Sequence, residues 1–187
     1  MKILVSCEFS QIVTKAFRER GHLAYSCDLL PTEGNPDWHF QCDVMEIIND
    51  DWDLMIAHPP CTYLANSGVR WLYEEGGRYY KMIDACNFFN ELLNANIKRI
   101  CIENPIQHKH AREYIRKYDQ IIQPWQFGHE ESKAICLWLS GLPKLQPTKI
   151  MDKREQRVWK EPPSPERWKN RSRFYTGIAE AMAKQWG

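Results

Sequence analysis

Short apolar runs recur along the chain and alternate with longer stretches of helical periodicity. Each run is bounded by charged or turn-forming residues, which is typical of buried strands in a parallel sheet. The runs that predict strands are 2–6, 22–27, 40–43, 53–57, 98–102, 119–123 and 134–139. The stretches that predict helices or helical turns are 12–21, 44–48, 78–95, 108–117 and 177–186. This alternation predicts an α/β domain with a mostly parallel central sheet flanked by helices.

Length and composition favour one soluble domain. The 187 residues predict a single domain, 1–187, in which residues 141–175 form an irregular basic segment containing Pro and Trp, packed on or beside it. No apolar stretch approaches the roughly 18 residues of a membrane span. The first residues lack a signal-peptide pattern, and the seven cysteines form no C-x-x-C pair. These features predict a cytoplasmic protein with reduced thiols and no membrane partner.

Charge is distributed unevenly along the chain. From Lys144 to the end there are 11 Lys and Arg against 5 Asp and Glu, although the whole chain carries only +1. The aromatic residues interleaved with this positive charge are Trp159, Trp168, Phe174 and Tyr175. Such a pattern is typical of surfaces that contact phosphates and stack on bases. A solvated, proline-broken segment that wraps the domain fits the same pattern equally well.

Two clusters with chemical potential, Pro59-Pro60-Cys61 and Glu103-Asn104, each follow a predicted strand. Ligands of parallel sheets bind at the carboxyl ends of the strands, so a thiol and a carboxyl group are expected side by side there. A thiolate at Cys61 can add to a polarised ring carbon, and Glu103 can protonate a ring nitrogen. His58 is one candidate for the positive field that activates the thiol. The alternative for Glu103 is an ordinary strand-end carboxylate paired with Arg or Lys.

A second candidate site follows the first predicted strand. The turn at residues 6–10 leads into a helix, and Asp28 and Asp43 close the next two strands. In dinucleotide sites, an acidic residue at such a place binds ribose hydroxyls. The turn lacks the G-x-G-x-x-G pattern, so a loop or helix-capping role for the two carboxylates stays open.

The ordered series of these motifs resembles the DNA cytosine C5-methyltransferase family over nearly the whole chain. His58-Pro59-Pro60-Cys61 is similar to the family's Gly-Pro-Pro-Cys-Gln nucleophile motif, and Glu103-Asn104-Pro105 to its Glu-Asn-Val motif. Leu4 to Ser10 with Gly21 resembles the first cofactor loop, which in the family reads Phe-x-Gly-x-Gly. The remaining similar segments are 64–68 with Arg78 (Phe-Ser-x-x-Gly and Arg-Gly), 127–133 (the segment carrying Gln-x-Arg-x-Arg) and 172–182 (the last cofactor motif).

The resemblance implies a Rossmann-like, S-adenosylmethionine-dependent methyltransferase fold and methylation of C5 of cytosine in DNA. Cys61 would add to C6 of the base while Glu103 holds or protonates N3, and a base within a duplex would be flipped out. The residues implied to bind the cofactor, S-adenosyl-L-methionine, are Ser6, Glu8, Phe9, Asp28, Asp43 and Pro59. Those implied to bind DNA are Asn104, Arg78, Lys133, Arg171 and Arg173, and no metal site is implied.

The chain departs from the family pattern in several places. Gln11 and Ile12 stand where the cofactor loop has glycine, and Thr62 replaces the glutamine after the cysteine. Lys133 stands roughly where the family has two arginines. Only about 35 residues separate the strand predicted at 134–139 from the last motif, where the family usually inserts a target-recognition domain. This economy favours a compact, phage-like enzyme in a bacterial or phage-infected cytoplasm.

Two other functions are compatible with parts of the sequence. A catalytically silent methyltransferase-like protein that binds nucleic acid or another protein fits the altered cofactor turn, although the presence of Cys61 and Glu103 speaks against it. A thiol hydrolase built on Cys61 and His58 is disfavoured, because a histidine three residues away across two prolines is poorly placed as a base. His108 and His110 lack the further ligands of a metal site and are expected on a helix surface.

Overall fold

The computed structural model describes residues 1–74, 76–156, 162, 164 and 173–187. Its strands are β1 (Lys2–Ser6), β2 (Leu23–Cys27), β3 (His39–Phe40), β4 (Leu54–Ala57), β5 (Ile100–Asn104), β6 (Gln120–Ile122) and β7 (Ile135–Ser140). The α-helices within these described residues are α1 (Ile12–Glu19), α2 (Arg78–Leu93) and α3 (Thr176–Trp186), and five short 3-10 helices lie between them. Apart from the helix predicted over residues 108–117, the elements predicted from the pattern of apolar positions occur in the predicted order, with most boundaries shifted by one or two residues.

All seven strands form one sheet in the order β3-β2-β1-β4-β5-β7-β6. The pairs formed by β1 with β2 and β4, by β2 with β3, and by β4 with β5 are parallel. Strand β7 runs antiparallel to both of its neighbours, β5 and β6. The prediction of a mostly parallel sheet flanked by helices is confirmed.

Both faces of the sheet are buried, which explains why its strands are continuously apolar rather than alternating. On one face, Ile3 and Val5 belong to a core that includes Phe17 of α1 and Met182 of α3. On the other face, Leu4 packs in a core with residues of α2. Successive strand residues point to opposite faces, so β1 contributes to both cores.

The structure corrects the helix predicted over residues 108–117. Within this range only Ala111–Glu113 forms a short 3-10 helix. The His108 side chain is buried, and its Nδ1 accepts a hydrogen bond from the backbone N–H of Ala111 at 3.1 Å. Its Nε2 donates to the carbonyl oxygen of Tyr63 at 2.9 Å. These bonds compete with a regular helix, and they contradict the expectation that His108 lies on a helix surface.

The described residues 141–156, which come after β7, form neither helix nor strand. Their backbone forms isolated bridges at Phe127–Lys149 and Glu131–Glu155. The side chain of Gln120 binds both the N–H and the carbonyl oxygen of Leu145. Trp159, Trp168 and Arg171 lie outside the described residues. Among the helices that the structure describes, none is long and apolar enough to cross a membrane.

Candidate functional site

The carboxyl ends of β1, β2, β4 and β5 lie along one edge of the sheet. Strand β1 is flanked by β2 on one side and β4 on the other, so the strand order reverses direction here. In open α/β sheets, ligands bind at this reversal, outside the carboxyl ends of the strands. The predicted candidates Ser6, Asp28, Cys61 and Glu103 all lie at, or shortly after, the ends of these strands.

The turn after β1 reaches its tight conformation without glycine. Cys7 and Gln11 both have left-handed backbone torsions, with φ of 58° and 57°, a region that favours glycine. The Gln11 side chain is buried; its Nε2 donates to Ser26 Oγ at 3.0 Å and to the Asn35 carbonyl oxygen at 2.8 Å. Its Oε1 accepts from the Asn35 N–H at 2.7 Å. Gln11 therefore anchors the loop at Asn35 to the turn, a role that the sequence did not reveal.

Glu8 occupies the amino terminus of α1. Its buried carboxylate accepts hydrogen bonds from the N–H groups of Val13 at 2.6 Å and Thr14 at 3.2 Å, and from Thr14 Oγ1 at 2.7 Å. In dinucleotide-binding folds, the corresponding N–H groups bind the pyrophosphate. Because Glu8 already takes these donors and adds negative charge, this helix end does not suit a phosphate.

An acidic edge, formed by Asp28 and Asp43, follows β2 and β3. Asp28 Oδ1 accepts from the Leu30 N–H at 2.9 Å, and Asp43 Oδ1 from the Met45 N–H at 3.0 Å. Asp43 therefore caps the short 3-10 helix Val44–Glu46, whereas Asp28 stabilises the loop after β2. Burial raises the pKa of Asp28. Burial, followed by the charges of Asp28 and Asp43, raises the pKa of the Cys7 thiol to about 12. Both carboxylates thus act on the turn after β1, and the edge favours cationic or hydroxyl-bearing ligands.

Glu103 is bonded to His58 across the ends of β4 and β5. His58 Nδ1 donates to Glu103 Oε2 at 3.1 Å, and each side chain is only 13% exposed. Burial opposes the charge of Glu103, but the hydrogen bond and charge of His58, with the charge of Lys133, hold its pKa below the ordinary 4.5. The other ring nitrogen of His58, Nε2, is buried without a hydrogen-bond partner among the described residues. His58 was one of two candidates, with Arg70, for the positive field near Cys61; the hydrogen bond that the structure shows for His58 is with Glu103.

Cys61 is exposed and begins the loop 61–65, which follows β4. Its carbonyl oxygen accepts from the N–H groups of Leu64 and Ala65 at 3.0 and 2.9 Å. Asn104, next to Glu103 on β5, donates from Nδ2 to the Pro59 carbonyl oxygen at 2.8 Å, while its buried Oδ1 has no partner in the part of the chain that the structure describes. Asn104 therefore ties the strand that carries Glu103 to the segment that carries Cys61.

Further contacts brace the loop 61–65 from both sides. The Arg78 guanidinium donates to the Thr62 carbonyl oxygen at 3.3 Å. A Cβ added to Gly68 would lie 2.8 Å from Nη2 of this guanidinium. Gly68 thus leaves room for the Arg78 guanidinium in this position. On the other side, the backbone N–H of His108 donates to the Leu64 carbonyl oxygen at 2.9 Å. Burial lowers the pKa of the His108 imidazole. No spacing in the sequence marked His108 as part of this site.

The segment 173–175 crosses the same edge of the sheet. Arg173 forms a two-pronged ion pair with Glu33, at 2.9 and 3.1 Å. The Phe174 ring lies 4.7 Å from the His58 ring, and Tyr175 donates its hydroxyl to Glu131 at 2.8 Å. Arg173, predicted to bind DNA, is therefore engaged with the loop that follows β2.

The predicted residues that remain also lie around this edge. Ser6 ends β1, and its buried Oγ has no hydrogen-bond partner within the described ranges. The Phe9 carbonyl oxygen accepts from the Glu33 N–H at 2.9 Å. Lys133 lies 5.8 Å from the Tyr175 ring centre and is close enough to lower the pKa of Glu103. Apart from Arg171, the predicted candidates therefore surround one edge of the sheet.

Comparison with known proteins identifies similar structures but no similar sequence. No protein-family model and no curated protein matches the chain. A DNA modification methyltransferase encoded within an E. coli prophage matches with a TM-score of 0.50 and 13% identity, over 80% of this chain and 51% of that one. The Entamoeba histolytica methyltransferase EhMeth matches with a TM-score of 0.46 and 16% identity, over 80% and 57%.

This chain thus spans little more than half the length of the two proteins. At such low identity, the similarity concerns the arrangement of the strands and helices rather than the residues of the site. The order of the strands in the sheet and the first of these matches indicate the same fold. The chain has the Rossmann-like α/β fold found in methyltransferases.

Proposed function

We propose that the protein is an S-adenosylmethionine-dependent methyltransferase that methylates C5 of cytosine in DNA through a covalent adduct with Cys61. The observation that carries this proposal is the junction of β4 and β5. There, two hydrogen bonds join β5 to the segment that leads to Cys61: one from His58 to the Glu103 carboxylate, and one from Asn104 to the Pro59 carbonyl oxygen. A thiol nucleophile and a carboxyl group at one edge are what addition to a cytosine ring requires.

The acidic edge formed by Asp28 and Asp43 supports S-adenosylmethionine as the cofactor. Glu8 blocks the phosphate-binding position at α1, whereas Asp28 and Asp43 suit ribose hydroxyls and positive charge. S-adenosylmethionine has a ribose, a cationic sulfonium and an ammonium group, and carries no phosphate. It supplies an electrophilic methyl group. In this proposal Ser6, Phe9 and Pro59 line the cofactor pocket, and Glu8 fixes the turn that forms its wall.

The reaction begins at C6 of a cytosine that has left the base stack. The Cys61 thiolate forms a bond with C6, and the displaced electron pair is stabilised at N3 by a proton from Glu103. C5 becomes nucleophilic and would take the methyl group of S-adenosylmethionine, whose bond between methyl and sulfur would break to leave the neutral thioether. Loss of the C5 proton to a base, cleavage of the bond between sulfur and C6 and return of the N3 proton to Glu103 then release methylcytosine and regenerate the thiolate.

In this proposal, His58 supplies the proton that Glu103 needs in order to protonate N3 of the base. A carboxylate with a lowered pKa is ionised near neutral pH and has no proton to give. The His58 Nδ1 proton lies on the hydrogen bond to Glu103 Oε2. From the imidazolium form of His58 it can move to Glu103 as N3 of the base arrives, and it leaves a neutral imidazole behind. The other candidates contact DNA in this proposal: Arg78 and Lys133 through their charges, and Asn104 through its buried Oδ1.

The experiment that tests the proposal traps the adduct. Oligonucleotides containing 5-fluoro-2′-deoxycytidine are incubated with the protein and S-adenosylmethionine, because a fluorine at C5 cannot leave as a proton. We expect a complex between protein and DNA that survives denaturing electrophoresis. It should disappear in Cys61→Ser and persist in Cys86→Ala, which alters a buried cysteine on α2.

Calorimetric titration with S-adenosylmethionine separates catalysis from mere binding. We expect wild type and Cys61→Ser to bind the cofactor with similar affinity. A folded protein that binds DNA but not the cofactor would favour the catalytically silent alternative. An adduct that persists in Cys61→Ser would overturn the role of this thiol.

A further inference from the structure

Exposed aromatic side chains are concentrated beside the Cys61 loop. Of the five aromatic residues that are well exposed in the described part of the chain, only Phe40 lies elsewhere. The other four are Trp71 (38% exposed), Tyr73 (71%), Tyr80 (73%) and Tyr114 (43%). With the half-buried Tyr79, we call these residues the aromatic surface. Such a concentration of rings in contact with water requires an explanation, because single exposed apolar residues are ordinary but clusters are not.

The rings of the aromatic surface are held in place. Leu72, between Trp71 and Tyr73, is only 2% exposed and anchors this stretch in the core that includes α2. The Tyr73 ring stacks on Tyr79, with 6.1 Å between centres and 20° between planes. The Tyr79 and Tyr114 hydroxyls are hydrogen-bonded at 2.9 Å. Tyr73 therefore has one face supported by a neighbouring ring, while most of the side chain remains open to solvent.

The surroundings of these rings are positively charged. The two segments that carry them, 61–81 and 105–118, contain seven Lys and Arg against three Asp and Glu, whereas residues 1–143 as a whole carry net −5. The Arg70 guanidinium lies 4.4 Å from the Trp71 ring centre. Exposed Lys81, Lys109 and Arg112 belong to the same two segments. Positive charge mixed with open ring faces is the pattern of surfaces that bind nucleic-acid strands.

The aromatic surface is continuous with the proposed active site. The loop 61–65 leads directly into the 3-10 helix Asn66–Trp71, whose last residue belongs to the surface. Arg78 contacts this loop at Thr62 and precedes Tyr79 and Tyr80 on α2. A DNA strand bound on the aromatic surface would therefore lie next to the Cys61 loop.

We propose that the aromatic surface binds single-stranded DNA and holds the nucleotides next to the target base. Bases in a duplex are stacked on each other, so their faces are closed to Tyr73 and Tyr80, whereas the faces of unpaired bases are available. The inference rests on the proposed function for the identity of the target, but strand binding itself needs neither cofactor nor catalysis.

The experiment measures fluorescence anisotropy of a labelled 15-nucleotide oligothymidine without cofactor, in the Cys61→Ser background. We expect tighter binding of this strand than of a duplex of equal length. Tyr73→Leu and Tyr80→Leu should each weaken single-strand binding by about 5-fold or more, because stacking on one ring is lost. Tyr73→Phe keeps the ring and should retain the affinity, as should Ile150→Ala, which removes an exposed apolar side chain elsewhere.

An abasic strand of the same length separates stacking from attraction to phosphates. It should bind weakly, and Tyr73→Leu should not change its affinity. Equal affinity of wild type and both Leu variants for oligothymidine would overturn the proposal, and so would a preference for duplex. Because these measurements require no methyl transfer, failure of adduct trapping leaves their outcome intact, and the two proposals fail separately.

Discussion

One histidine of the proposed active site has no counterpart in the motif that the site resembles. Where the family motif has glycine before Pro-Pro-Cys, this chain has His58, and the imidazole is bonded to Glu103. The Phe174 ring packs beside His58, with 4.7 Å between the ring centres, and the side chains of His58 and Glu103 are each only 13% exposed. A buried carboxylate without a partner would be neutralised by its environment. The partner therefore keeps Glu103 charged and places a proton next to it.

The lowered pKa of Glu103 predicts a dependence of stability on pH. A group whose pKa is lower in the folded state stabilises the fold fully above its unfolded value, near 4.5, and this contribution is lost as the pH falls through the folded value. Glu103→Gln should therefore lower the free energy of unfolding relative to wild type more at pH 7 than at pH 3.5. Urea unfolding at a series of pH values measures the difference.

His58→Ala provides the control for this experiment. Without the imidazole, the main contact that lowers the pKa of Glu103 is absent. The cost of Glu103→Gln, measured in the His58→Ala background, should then vary less with pH than it does in the wild-type background. The same variation in both backgrounds would show that Lys133 or another group, rather than His58, stabilises the carboxylate.

The turn after β1 and the loop after β2 form one unit through Gln11. The turn places Cys7 and Gln11 in left-handed conformations, a strain that other contacts must offset. Three hydrogen bonds between the Gln11 side chain and Ser26 or Asn35, two donated and one accepted by Gln11, provide such contacts. The Arg173–Glu33 ion pair and the bond from Glu33 to Phe9 add to this connection. A turn without glycine is thus retained because a neighbouring loop supports it.

Gly34→Ala tests this connection. A Cβ at Gly34 would overlap the Gln11 side chain, so the substitution should displace it and cost about 1–3 kcal/mol of unfolding free energy. In a Gln11→Ala background the same substitution should cost much less, because the overlapping atoms are gone. Equal costs in the two backgrounds, measured by urea unfolding, would show that Gln11 does not fill the space beside Gly34.

The two ends of the chain meet in one hydrophobic core. Helix α3, at the carboxyl terminus, packs against α1, and its Ile178 and Met182 are fully buried with Phe17 and Ile3. The backbone N–H of Gly177, in the first turn of α3, donates to His129 Nε2 at 3.0 Å. Helix α3 thereby fixes the segment 173–175 across the site, so packing at the end of the chain determines how the edge of the sheet is covered.

Met182→Ala should therefore destabilise the whole domain rather than one helix. Removing a fully buried methionine leaves a cavity, with an expected cost of about 2–5 kcal/mol. Lys184→Ala, on the exposed side of the same helix, should change the unfolding free energy little. Circular dichroism and tryptophan fluorescence should report one coincident transition in urea. Two separate transitions would show that α3 unfolds independently.

The sequence alone was sufficient for the strands and most helices, because side-chain periodicity is a local property. Helix α2 was predicted over 78–95 and is observed at Arg78–Leu93. The helix predicted over 108–117 was wrong, because the polar bonds of His108 with Tyr63 depend on a partner 45 residues away. Likewise Glu103 and Asn104 lie within β5 rather than after it, since pairing with β7 extends the strand.

Apolar pattern and motif order thus determined the fold class and the edge of the sheet where the candidate residues meet. Only the tertiary structure decided which of these side chains touch. It paired His58 with Glu103, Arg173 with Glu33 and Asn104 with the Pro59 backbone. The physical reason is that such bonds depend on strand order, on the face toward which each residue points and on burial, which the spacing of residues along the chain does not specify.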